Sequence, residues 1–133
     1  MKLLNIDANA KTVKGQKRGY MTAVLYLAPY TASGTNLCPM AEQAGCFEGC
    51  LNTAGRGGIA KDRAVFATDA GMLPDNVIQR ARIARSELFN NDRDAFMEKL
   101  AQEIKAFIRK AEKKNLVPVV RLNGTSDILW ETI

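Results

Sequence analysis

Three cysteines, Cys38, Cys46 and Cys50, are the only thiols among 133 residues, and all fall in one thirteen-residue segment, Cys38-Pro39-Met40-Ala41-Glu42-Gln43-Ala44-Gly45-Cys46-Phe47-Glu48-Gly49-Cys50. Thiolates are soft ligands that bind iron–sulfur clusters and zinc, and a set this close in sequence can close around one metal centre. Cys46 and Cys50 are four apart, which on a helix sets their Cβ atoms about 5–6 Å apart on one face. That reach suits two irons of one cubane better than one zinc, and Cys38, ahead of a proline, can fold back as the third ligand. Gly45, Gly49, Gly55, Gly57 and Gly58 leave room for backbone N–H groups to approach inorganic sulfide. On spacing alone three readings stand side by side: an iron–sulfur cluster, a zinc site, and small buried apolar side chains that ligate nothing. The spacing is not a ferredoxin pattern and a fourth cysteine is lacking. A cubane held here therefore leaves one iron to an oxygen ligand, an exogenous ligand or none.

The chemistry that is excluded is as informative. The sequence has no histidine, which removes Ser-His-Asp and Cys-His nucleophile pairs, histidine zinc sites, Rieske centres and His-ligated haem. An odd number of cysteines argues against a secreted disulfide scaffold. Residues Met1 to Ala10 lack the apolar core of a signal peptide, and no run of eighteen apolar residues occurs. A reducing cytoplasm is the expected compartment, with no membrane contact. Length, 47% hydrophobic and 25% charged residues fit one globular domain, 1–133.

The elements that must position the cysteines follow from patterning. Lys2–Ile6 reads as a short strand, followed by a basic loop with Lys11, Lys14, Lys17 and Arg18. Tyr20–Ala28 is apolar at nearly every position, the pattern of a strand covered on both faces. The cysteine segment comes next, and Asp62–Thr68 reads as a strand or a helical turn. One helix starts at Pro74-Asp75 with Val77, Ile78, Ala81, Ala84, Ser86 and Leu88 at roughly helical spacing. Asp92 caps a second helix whose stripe is Phe96, Leu100, Ile104, Phe107, Ile108 and Ala111, ended by Asn115. Val117–Leu122 is a strand, and Asn123-Gly124-Thr125-Ser126-Asp127 a polar turn after it. Strand, helix and strand in this order predict a single α/β domain with a small, mostly parallel sheet and flanking helices. In such sheets ligands sit beyond the carboxyl ends of the strands, so the cysteine segment and Asn123–Asp127 are expected to meet at one rim.

Asn36-Leu37-Cys38-Pro39-Met40-Ala41, the spaced Cys46 and Cys50, Gly55-Arg56, Ala81-Arg82 and Val120-Arg121-Leu122-Asn123-Gly124-Thr125-Ser126-Asp127-Ile128 with Trp130-Glu131 resemble the "gene product 88" family of phage proteins. The resemblance covers most of the chain from Tyr20 onward. It implies a virus-encoded iron–sulfur protein in the cytoplasm of an infected host, with Cys38, Cys46 and Cys50 holding the cluster. A four-iron cubane is favoured over a three-iron form. The role implied is electron transfer, with a redox partner, or binding of a small ligand at the open iron. Asn36, Arg56, Arg121, Asn123, Ser126 and Asp127 are candidates to surround the cluster or supply its fourth ligand, with Asp127 and Ser126 as oxygen donors. The competing class is a zinc-stabilised interaction module with a basic face able to touch nucleic acid.

Other features carry less. Gly55-Arg56-Gly57-Gly58-Ile59-Ala60-Lys61 lacks the G-K-[ST] ending of a phosphate loop and reads as a glycine turn. The net charge of +5 gives weak nonspecific nucleic-acid affinity. Arg80, Arg82 and Arg85 read as part of a solvated helix face, and aromatics do not interleave with the basic loop, so specific nucleic-acid readout has no support. The closing segment Ile128-Leu129-Trp130-Glu131-Thr132-Ile133 is apolar enough to predict self-association.

Overall fold

The computed structural model describes residues 1–7, 10–28, 37–44 and 77–133. Its elements are β1 (Leu4–Ile6), α1 (Ala10–Gln16), β2 (Tyr20–Leu25), α2 (Ala41–Ala44), α3 (Val77–Asn91), α4 (Arg93–Lys113), β3 (Val117–Arg121) and a turn of 3-10 helix at Trp130–Thr132. By contacts the chain forms two compact units: Met1–Tyr26 with Asp92–Gly124, and Leu27–Asn91 with Thr125–Ile133.

The first unit holds the sheet. Among the described residues it has three strands in the order β1-β2-β3. β1 runs antiparallel to β2, with Leu4 opposite Leu25, and β3 runs parallel to it, with Tyr20 opposite Val117 and Val24 opposite Arg121. The sheet is thus mixed, and the expected mostly parallel sheet is corrected. The reason is local. The β1–β2 connection contains one helix of seven residues, about 10 Å long. Backbone φ values of +52° at Asp7 and +90° at Gly19 reverse the chain at its two ends. Glycine enters that left-handed region at little cost. β2 and β3, by contrast, are joined through α3 and α4, long enough for the crossover that a parallel pair requires.

The expected basic loop is also corrected, because Lys11 and Lys14 lie on α1. That helix buries only Thr12, so it has no apolar stripe to announce it. α4 matches its sequence pattern. Asp92 accepts a hydrogen bond from Ala95 N (3.1 Å) as N-cap; Phe96, Leu100, Phe107 and Ala111 are buried; and Asn115 ends the helix at φ +54°. The helix packs on β1 and β3. The Glu103 carboxylate accepts from Leu3 N (3.0 Å) and Leu4 N (3.1 Å), tying α4 to the start of β1. Met21, Ala23 and Leu25 share one face of β2 and are buried.

The second unit is built on α3, whose buried face differs from the expected one. Gln79, Arg82, Ile83, Arg85, Ser86 and Phe89 face inward, while Val77 is exposed. Arg82 and Arg85 are only 8% and 9% accessible, so the solvated-face reading holds for Arg80 alone of the three. Ser86 is the hinge of this packing: its Oγ accepts from Ala28 N (2.8 Å) and donates to Arg82 O (2.9 Å). The closing segment is partly covered. Ile128 is buried and Trp130 packs edge-on against Phe89 at 5.6 Å, leaving Leu129 and Ile133 exposed. No described helix is long and apolar enough to cross a membrane. Asp62–Thr68 and the glycine turn Gly55–Lys61 lie outside the described residues.

Candidate functional site

Two pieces of chain, far apart in sequence, meet in the second unit. Leu37 is buried and anchors the start of the cysteine segment. Cys38 follows it half-buried, ahead of a turn at Pro39-Met40 and the four-residue α2. Proline at 39 disfavours helical backbone at Cys38, so the thiol sits on extended chain before α2 begins. Against it lies the segment that leaves β3. Asp127 N donates to Leu37 O (2.9 Å), and Cys38 Sγ donates to Thr125 O at 4.0 Å, the long end of a sulfur hydrogen bond. Thr125 Oγ1 donates to Leu27 O, which follows the end of β2.

The Asn123–Asp127 turn is therefore stitched down largely by its own backbone. In the first unit, Gly124 N donates to Leu25 O (3.0 Å). A Cβ on Gly124 would come within 2.7 Å of Leu25 O and of Tyr26 Cδ1, so the approach requires glycine. Asn123 O accepts from Arg121 Nε (3.0 Å), which fixes that exposed guanidinium beside its own strand end. Ser126 is buried, and the Asp127 side chain is exposed.

Of the residues expected at the site, Cys38, Ser126 and Asp127 are brought into one neighbourhood of the second unit. Arg121 and Asn123 belong to the first unit. Cys46, Cys50, Asn36 and Arg56 lie outside the described residues. Among the described residues no group of three or more Cys, Asp and Glu side chains is arranged to hold a metal. The donor set that the sequence offers, three thiols beginning at the half-buried Cys38 and the carboxylate of Asp127, whose backbone N–H is tied to Leu37 O, is chemically suited to an iron–sulfur cluster or to zinc. Sequence reasoning passed over Thr125, whose hydroxyl and carbonyl both reach neighbouring chain. It also passed over the buried polar face Gln79, Arg82, Arg85 and Ser86, for which hydropathy has no signal.

Searches of the curated proteins and of the solved structures found no match to this chain. A family model does match, and it spans both compact units with every element described above, so the chain belongs to the family described as Gene product 88, over residues 1–133.

Proposed function

We propose that the protein holds an iron–sulfur cluster through Cys38, Cys46 and Cys50, a four-iron cubane with one corner not bound by cysteine. Its use is electron transfer or the binding of a small ligand at that corner, in a phage-encoded protein acting in the infected cell. As a carrier, the cluster accepts one electron from a reduced donor protein and releases it to an acceptor. The observation that carries the reading is the grouping of every thiol of the protein within thirteen residues, beginning at a half-buried Cys38 beside Thr125–Asp127. Cys38 thus starts the segment from a fixed point. An oxygen donor at Asp127 stands on the neighbouring strand of chain, its backbone tied to Leu37.

The test is metal and sulfide analysis of protein purified without air, together with its visible spectrum. Iron and sulfide in near-equal amounts, with a brown charge-transfer absorbance, are expected. Replacing Cys50 by Ser is expected to remove most of both and to lower the melting temperature, because ligand binding and folding are coupled in small metal domains. A colourless protein loaded with zinc, or Cys50→Ser protein with full iron and sulfide, overturns the reading.

A further inference from the structure

The strongest unassigned feature is the charge at one end of the first unit. β2 and β3 are parallel and adjacent, so both begin at the same end of the sheet, where Val117 N donates to Gly19 O (2.8 Å). Each strand is entered from the C-terminus of a helix, β2 from α1 and β3 from α4. The two junctions bring Lys14, Lys17 and Arg18 to the same end as Lys110, Lys113 and Lys114, all six exposed. Among the described residues none of the six forms an ion pair. Of the acidic residues on these elements, Glu112 lies in the last turn of α4, and Asp7, before α1, accepts a hydrogen bond from Gln16. Cations at helix C-termini offset the helix dipole, which accounts for Lys14, Lys110 and Lys113 in the last turns. The same dipole serves Lys114, the C-cap of α4, and Lys17, the residue directly after α1, whereas Arg18 lies beyond it.

An aromatic ring stands in the same place. Tyr20, the first residue of β2, is 48% exposed, and Val117, its partner across the parallel pair, is 55% exposed. α1 passes close by: a Cβ on Gly15 would lie 3.7 Å from Tyr20 O and 4.0 Å from Tyr20 Cβ. In sequence the aromatics do not interleave with the basic residues, and in the fold Tyr20 stands at the end where both basic junctions lie. A ring open to solvent among unpaired cations is the combination used to bind single-stranded nucleic acid without sequence preference: cations take the phosphates and a base stacks on the ring. An anionic membrane surface would meet the same cations and ring, and the vesicle comparison below separates it from a single strand. Duplex DNA keeps its bases stacked inside. We propose that this end of the first unit binds single-stranded nucleic acid, with phosphates on the lysines and Arg18 and a base on Tyr20, independently of any metal.

The test is fluorescence anisotropy of a labelled oligothymidine with the full chain, across a series of potassium chloride concentrations. Six phosphate contacts to a single strand give a slope of log K against log salt of about −4. Lys17→Glu with Lys114→Glu, one from each junction, is expected to weaken binding at least about tenfold and to flatten the slope by about 1.4. Arg80→Glu with Lys105→Glu, exposed residues elsewhere, makes the same change in net charge and is expected to leave the slope unchanged. Tyr20→Ala is expected to weaken binding roughly 5- to 100-fold without changing the slope, and Tyr20→Phe to retain it. Melting temperatures within a few degrees of the parent protein establish that each variant is folded. No binding at low salt, or equal losses in the two charge pairs, overturns the proposal. So does a Tyr20→Ala variant that binds as well as the parent, and so does preference for a duplex or for vesicles of anionic lipid.

Discussion

Replacing Gly124 by Ala tests whether the strand-end motif is held by backbone packing. The added Cβ would lie 2.7 Å from Leu25 O, 2.7 Å from Tyr26 Cδ1 and 2.8 Å from Val24 Cγ1. The two side-chain atoms can move a little, but Leu25 O is backbone of the central strand and accepts the Gly124 N–H at 3.0 Å. Reaching ordinary contact means shifting these atoms by about 0.7 Å, beyond what a close-packed interior absorbs freely. Overpacking of this kind costs about 1–3 kcal/mol, and loss of the Leu25 bond about 1 kcal/mol. Ala recovers about 0.5 kcal/mol through a less flexible unfolded chain. The net is a destabilisation of about 2.5 kcal/mol, which for a chain of this size lowers the melting temperature by roughly 8–10 °C. Urea unfolding followed by circular dichroism reads it as a shift in midpoint at constant slope. Gly15→Ala is the internal comparison. There the new Cβ meets nothing nearer than 3.7 Å and sits within α1, so it is expected to stabilise by about 0.5–1 kcal/mol. If Gly124→Ala costs less than about 1 kcal/mol, or the two variants behave alike, the packing argument for the motif fails.

Ser86→Ala removes the acceptor of the buried Ala28 N–H and is expected to cost about 1–3 kcal/mol, measured by the same unfolding curves; a change under about 0.5 kcal/mol would mean that water replaces the hydroxyl. Glu103→Gln weakens the charged acceptor for Leu3 N and Leu4 N. It is expected to cost about 1–2 kcal/mol and to speed hydrogen exchange at those two amides more than at α4. On the proposed cluster, air is expected to strip the iron at the non-cysteine corner and leave a three-iron form, seen by electron paramagnetic resonance; a cluster unchanged by air would indicate four protein ligands.

The sequence announced α4 because every local signal agreed: an Asp cap, an apolar stripe at helical spacing, charges opposite, and an Asn able to take φ +54° at its end. α3 was legible as a helix but not in its orientation. Its inward face carries Gln79, Arg82, Arg85 and Ser86 beside only Ile83 and Phe89, and a hydropathy stripe cannot find a face that is mostly polar. α1 was hidden for the opposite reason, since it buries one threonine and is otherwise wetted. The direction of β1 was out of reach because apolar pattern carries no sign for strand direction. The short connection, one seven-residue helix with positive φ at Asp7 and Gly19 on either side, accompanies the antiparallel pairing. At the site, Cys38 lies beside Thr125–Asp127, while Cys46 and Cys50 lie outside the described residues.

The polar turn after β3 looked in sequence like a row of equivalent donors, and the fold separates them. Thr125 Oγ1 is spent on Leu27 O, and the backbone carbonyl of Asn123 on Arg121 Nε. Gly124 is committed to close packing on Leu25 and Tyr26. Ser126 is buried, so presenting its hydroxyl to iron would first require stripping whatever surrounds it. Asp127 differs from all of these. Its backbone N–H is fixed to Leu37 O, one residue from Cys38, while its carboxylate stays in water. A carboxylate that is exposed but anchored at its backbone loses little desolvation energy on meeting a cation, and little of its reach. Among the side-chain oxygens that this turn contributes to the second unit, Thr125, Ser126 and Asp127, it is the one whose exposure leaves it available to the proposed cluster.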